Sequence, residues 1–228
     1  MRDLSVRSLE DEQMDDPALS PEEYRRVLAD LGRVNRWTFA ARPTLDFLRR
    51  GTAGTKGFTL LDVGFGEGGM LRAIAGWARR RGIEARLTGV DLNPKSAAAA
   101  RAATPPELGI DWRTGDYQDL GRFDFVVSSL VAHHMTGEQL GAFLSWMEGH
   151  AERGWMINDL HRHPFAYQGY PFLARLLRVH RIVQEDGQLS IARAYRPGEW
   201  PPVLQEAGVS GARVLRRFPF RLCVERLR

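Results

Sequence analysis

The 228-residue chain has one cysteine, Cys223, and two lysines, Lys56 and Lys95. A single cysteine excludes an intrachain disulfide, a CxxC redox pair and a thiolate metal cluster. No apolar run approaches the roughly 18 residues that a membrane-spanning helix needs. The first twenty residues, MRDLSVRSLEDEQMDDPALS, are polar and acidic and lack the apolar stretch of a secretory signal. The cytoplasm is therefore the expected compartment, and this N-terminal stretch is the one part whose composition reads as disordered. With lysine so scarce, nearly all the positive charge is arginine, giving a net charge of +4 and a pI near 9.6. A basic pI can mark a nucleic-acid binder. Here the arginines are spread along the chain, with Arg79-Arg80-Arg81 and Arg216-Arg217 the densest clusters, so nucleic acid is not the expected partner.

What is present is the material for one large domain with a helical extension. Ser20-Pro21-Glu22-Glu23 reads as a helix start, with a capping serine, a proline at the first helical position and Glu23 completing a capping box. Tyr24, Val27, Leu28, Leu31 and Val34 then lie on one helical face. A second helix is expected from Arg42 to Arg50, ending at Gly51. Residues 1–51 are thus read as an N-terminal helical cap and residues 52–228 as the main domain.

From Phe58 the pattern alternates strand and helix. Strands are expected at Thr59–Val63, Ala85–Leu92, Gly109–Arg113, Phe123–Ser129 and Gly154–Leu160. Helices are expected at Glu67–Arg80, Pro94–Ala103 and Thr136–His150. Repeated units of this length predict an α/β fold, a parallel sheet with helices on both faces. After a helix at Pro197–Ala207, strands at Ala212–Phe218 and Phe220–Leu227 are separated only by Pro219. So short a connection permits only an antiparallel pair, which makes the sheet mixed and seven-stranded.

The central motif is Leu61-Asp62-Val63-Gly64-Phe65-Gly66-Glu67-Gly68-Gly69. Glycines at the end of the first parallel strand let the backbone turn sharply and approach a ligand. Asp91 closes the second strand, where a carboxylate can accept hydrogen bonds from ribose hydroxyls. Asp116, followed by Tyr117, lies after the third strand on the same edge. Gly64-x-Gly66-x-x-Gly69 also fits the dinucleotide fingerprint, so a NAD-dependent oxidoreductase is the alternative. Asp62, two residues before the first glycine, would repel a diphosphate and suits a cationic ligand.

LLDVGFGEGG, GVDLN, GDYQDL and FDFVVSSLVAHHM, in this order and spacing, resemble the class I methyltransferases that use S-adenosylmethionine (SAM). The resemblance covers roughly residues 58–160 and implies a three-layer Rossmann-like methyltransferase fold. MDDPAL, INDLHRHP and EDGQLSIARAYRPGEW resemble a bacterial subgroup encoded beside type III polyketide synthases and similar to quinone-biosynthesis methyltransferases. By that resemblance Asp62, Gly64, Phe65, Gly66 and Gly68 would surround the methionine part of SAM. Asp91 and Leu92 would hold the ribose and adenine, Asp116 and Tyr117 the adenine, and Ser129 and Leu130 would lie beside the reactive methyl.

Methyl transfer from SAM needs chiefly alignment of the acceptor. A phenol stays mostly protonated at neutral pH and calls for a general base. His133 and His134 after the fourth strand, and His161 after the fifth, are the candidates, with Arg162 available to orient an acidic group. Asp116, Asp159 and these histidines offer no i, i+4 pair of the HExxH kind, so no metal is expected. Residues 164–173 are rich in aromatics, and an insertion around 163–185 is read as a lid over a flat apolar pocket. The expected substrate is a small phenolic, polyketide-like or quinone-like molecule, methylated on oxygen in preference to carbon. An RNA methyltransferase and a SAM-binding protein without activity stay open as rival functions, and a homodimer is left open.

Overall fold

The computed structural model describes residues 2–228. Helix α1 (Pro21–Trp37) and α2 (Arg42–Gly51) lead into alternating β1 (Gly57–Val63), α3 (Gly69–Arg80), β2 (Glu84–Asp91), α4 (Pro94–Ala103) and β3 (Asp111–Thr114). Then come β4 (Phe123–Ser129), α5 (Gly137–His150), β5 (Ala151–Leu160), α6 (Pro164–Leu176), α7 (Arg181–Arg193), α8 (Trp200–Glu206), β6 (Arg213–Arg217) and β7 (Arg221–Leu227). The strands form one sheet in the order β3-β2-β1-β4-β5-β7-β6. β1 to β5 are parallel, whereas β7 runs antiparallel between β5 and β6.

The period-2 alternation of apolar residues divides two cores between the faces of the sheet. Leu61, Val126, Trp155 and Val224 enter one core with Phe143 and Met147 of α5 and Trp200 of α8. Their neighbours Leu60, Phe125, Met156 and Cys223 enter the other, with Leu71, Ile74 and Trp77 of α3. Helix, sheet and helix therefore form three layers, as the sequence pattern predicts.

The boundaries differ where glycine sets the backbone. Gly68 has φ +79° and caps α3, so Glu67 stays in the turn rather than opening the helix. Gly109 has φ +60° at the end of a short turn, which delays β3 to Asp111. Before α8, residues Pro197–Glu199 form a separate 3₁₀ turn.

The cap is also divided differently from the 1–51 boundary. Phe47 and Leu48 of α2 are buried in the core beneath the sheet. Val27 and Val34 of α1 instead share a third core with Ala174 of α6 and Ile182 and Val183 of α7. Helices α1, α6 and α7 thus form one unit.

The N-terminal strap, expected to be disordered, is pinned to this unit by polar contacts that composition alone cannot reveal. The Arg7 guanidinium donates to the carbonyls of Arg193, His133 and Met135 and lies over the Tyr195 ring. Gln13 and Met14 N–H donate to the Asp186 carboxylate. Among the described residues no helix is long and apolar enough to cross a membrane.

Candidate active site

In this strand order the chain reverses direction across the sheet between β1 and β4, and such a switch point opens a crevice at the carboxyl ends of the strands. A cavity of about 910 Å³ lies there. A second of about 430 Å³, lined mainly by apolar side chains of α1, α6, α7 and the β6–β7 turn, lies beside it. Met14, Leu31, Asn35, Phe39, Leu130 and His134 line both, so the cavities share a wall.

The glycine-rich turn forms the floor of the larger cavity. Gly64 and Gly66 have φ +75° and +56°, left-handed values that strain any other residue. The Gly66 N–H donates to Asp91 Oδ2 at 2.9 Å, and the Asn93 N–H donates to Oδ1 at 2.9 Å. Burial raises Asp91 above its usual carboxylate value, against these hydrogen bonds. Asp91 therefore ties the loops after β1 and β2 together before any ligand arrives.

Asp62 is almost fully buried, and its Oδ1 has no hydrogen-bond partner. Burial, reinforced by the neighbouring Asp91, pushes it up to about 8. A buried carboxyl left in this state is matched by a ligand that brings a positive donor.

Phe65 lines the same cavity, and its ring packs 4.9 Å from Trp112. It fits because residue 89 is glycine: a Cβ there would stand 2.6 Å from Phe65 Cδ1. Leu92, 72% exposed, Tyr117 and Ser129 also line the cavity. The Tyr117 ring is braced by Phe143 and Trp146.

Two residues expected at the cofactor line neither cavity. Gly68 makes room for Trp112, whose Cη2 would be 2.2 Å from an added Cβ. Asp116 spends its carboxylate on the Gln118 N–H at 3.0 Å, as a cap.

The three candidate bases have separate fates. His133 lines the smaller cavity but is held between two carboxylates, with Nδ1 2.7 Å from Asp159 Oδ1 and Nε2 3.5 Å from Glu12 Oε1. Burial opposes its charged form, yet Asp159 and then Glu12 overcome this and push it up to about 9. Burial likewise works to raise Asp159, and the His133 charge instead holds it well below the usual carboxylate range. His133 is thus a charged strut at neutral pH.

His134 faces both cavities. Its Nδ1 lies 3.0 Å from Asp15 Oδ2 and its Nε2 3.9 Å from Glu12 Oε1. His161 lines neither cavity; its backbone N–H donates to the Phe220 carbonyl at 2.9 Å and its ring lies against His163. Burial and then His163 lower it to about 4. Arg162 is fully buried and donates to the carbonyls of Leu4 and Ala194 and to Glu199, so it is not free to orient a substrate.

Glu12 and Asp15 are the residues that sequence spacing misses, since they come from the strap over 110 residues before the histidines they meet. Glu12 is buried and lines the smaller cavity, and its Oε1 is without a hydrogen bond. Burial works to raise it, but His133 and His134 hold it below its usual value. Ligand atoms of Glu12, His133 and His134 lie within 4.8 Å of one another and could hold a metal ion. Arg193 Nε, 3.9 Å from the same Oε1, and the His133 charge already supply cations there.

Residues 61–154 match a protein family described as a methyltransferase domain. The match runs from β1 into β5 and leaves the cap outside it. Curated proteins give no match by sequence. Among solved structures, human N-acetylserotonin methyltransferase in complex with SAM is similar at a TM-score of 0.64 and 16% identity, over 92% of this chain and 56% of that one. This chain therefore spans little more than half of the human enzyme. A SAM-dependent methyltransferase from Aquifex aeolicus is similar at 0.60 and 18%, over 91% and 97%. Magnesium protoporphyrin IX methyltransferase from Synechocystis with bound SAH is similar at 0.55 and 15%, over 95% and 91%. At these identities the likeness is one of fold.

Proposed function

We propose that this chain is a SAM-dependent methyltransferase acting on an oxygen of a small apolar aromatic metabolite of phenolic, polyketide or quinone type. The matched methyltransferase domain and the fold shared with enzymes bound to SAM or SAH support the cofactor. The residues fit it: the partnerless Asp62 carboxyl suits a cationic amino acid group, and Asp91 suits ribose hydroxyls. A NAD-linked oxidoreductase fits less well, because Asp62 would face that ligand's diphosphate. SAM, when bound, supplies a methyl group on a cationic sulfur.

The observation that carries the reading is the wall shared by the two cavities, with Leu130 and His134 at the seam. A cofactor in the larger cavity and an aromatic acceptor in the smaller one meet there, so the chain contributes alignment. Leu130 holds φ +62°, a strained value for leucine, and its N–H is fixed by the Asn158 carbonyl at 3.1 Å. His134 Nε2 takes the acceptor proton, Asp15 orients the ring, and Glu12 Oε1 offers a second acceptor to the hydroxyl.

The test combines calorimetry with mass spectrometry. Asp91→Ala is expected to weaken SAM binding about 100-fold, since two charge-assisted contacts are lost. Wild-type protein incubated with SAM and a phenol panel should yield products heavier by one CH₂, a methyl group replacing the hydroxyl proton. Tight SAM binding by Asp91→Ala would overturn the ribose assignment. SAM binding without turnover of any acceptor would favour a binding protein.

A further inference from the structure

Of the ten large hydrophobic side chains that lie exposed among the described residues, five line the smaller cavity: Trp37, Phe39, Phe165, Phe218 and Phe220. They come from three separate segments and ring one opening. Phe172 and Leu176 extend the ring along α6, lying seven and eleven residues after Phe165 on the same helical face, 72% and 75% exposed. Monomeric proteins rarely expose so much contiguous apolar surface without a use for it.

The exposed charge on the segments that carry this rim is of one sign, whereas Glu12 and Asp186 line the cavity from within, both buried. Residues 31–45, 160–184 and 208–224, which supply the aromatic rim, contain not one of the chain's 28 carboxylates. They hold exposed Arg36, Arg42, Arg175, Arg178 and Arg216. Among the described residues no carboxylate pairs with any of these five within 4.0 Å, and Arg42 lies instead over the Phe39 ring at 3.8 Å.

We propose that this face docks on the surface of an anionic lipid bilayer, with the aromatic rim entering the interface and the arginines meeting the headgroups. Aromatic side chains settle at the membrane interface. Arginines add attraction to anionic lipids. A bilayer also accounts for the position of the ring, because an apolar acceptor dissolved in lipid would reach the cavity without crossing water. A second copy of this chain is a poorer occupant, since pairing the face with itself sets arginine against arginine. The inference goes beyond the methyl-transfer reading, and its readout does not depend on that reading.

The experiment is flotation of the full chain with vesicles of phosphatidylcholine alone and of phosphatidylcholine with phosphatidylglycerol. Binding is expected only with the anionic lipid and should fall at high salt. Phe172→Glu combined with Leu176→Glu should weaken it at least about tenfold, because two inserted side chains become anionic. Both residues are exposed and neither lines a cavity, so the double variant should melt close to wild type, which reports folding. Wild-type protein that ignores anionic vesicles, or a double variant that binds them equally, would overturn the proposal. So would a wild-type dimer that the double variant converts to monomer, or binding to polyglutamate without affinity for vesicles.

Discussion

His133 Nδ1 lies 2.7 Å from Asp159 Oδ1, with both side chains sealed from solvent, and the His133 N–H donates to the other oxygen of the same carboxylate at 2.9 Å. The strap closes over this pair through Glu12. Breaking a buried pair by removing one charge costs about 3–5 kcal/mol, so Asp159→Asn is expected to melt well below wild type. The pair also fixes a pH window. His133, raised to about 9, contributes stability that is complete below its unfolded value near ~6.5 and is lost as pH climbs toward 9. Asp159, lowered, contributes stability present above ~3.9 and lost as pH falls below it. Melting followed from pH 4 to pH 10 should show a smaller alkaline decline in Asp159→Asn than in wild type. Equal declines would mean that the pair does not carry the charge assigned to it.

Asp62 predicts proton release. Pushed up to about 8, its carboxyl is largely protonated at neutral pH in the free protein. A cationic ligand beside the partnerless Oδ1 lowers it, so SAM binding at pH 7 should release roughly one proton, and fewer at pH 9. Binding enthalpies measured in buffers of different ionisation enthalpy give that number directly. Asp62→Asn should abolish the release and weaken binding. No buffer dependence in wild type would remove Asp62 from the cationic end of the ligand.

Gly89 and Phe65 form a complementary pair. A Cβ at residue 89 would stand 2.6 Å from Phe65 Cδ1 and 2.9 Å from Leu71 Cδ1. Overpacking of this kind costs about 1–3 kcal/mol. The Phe65 carbonyl accepts from Gly68 N–H at 2.8 Å, so a displaced ring disturbs the cofactor turn as well as the core. Gly89→Ala should lower both melting temperature and SAM affinity, and adding Phe65→Leu should restore part of each. An undisturbed Gly89→Ala variant would show that the ring moves freely.

The sheet, its mixed topology and the glycine turn after β1 were legible because each depends on a short stretch: a period of 2, a connection of a few residues, a glycine at a strand end. The strap was not. Arg7, Glu12 and Asp15 meet partners more than 100 residues away, and polar spacing carries no trace of such contacts. Local identity also left unread that the missing side chain of Gly68 makes room for Trp112 and that the Asp116 carboxylate caps its own turn. Cap and core share the same problem: α2 has the amphipathic pattern of a cap helix, and only the packing of Phe47 and Leu48 shows which side claims it.

The histidines give the sharpest division of roles. His134 stands at the seam of the two cavities with its Nδ1 held by Asp15, whereas His161 lines neither cavity. Lowered to about 4, His161 is uncharged throughout the neutral range, yet it lacks a path to the acceptor. Removing a positioned general base costs on the order of 10²–10⁴ in rate. His134→Ala should therefore lose turnover of a phenolic acceptor by that factor while still binding SAM, and Asp15→Asn should lose less. His161→Ala should retain the wild-type rate. Because both variants are scored against calorimetric SAM binding, a slow His134→Ala that still binds SAM speaks to chemistry and not to folding. A slow His161→Ala beside a fully active His134→Ala would transfer the base to the other loop and reverse the assignment.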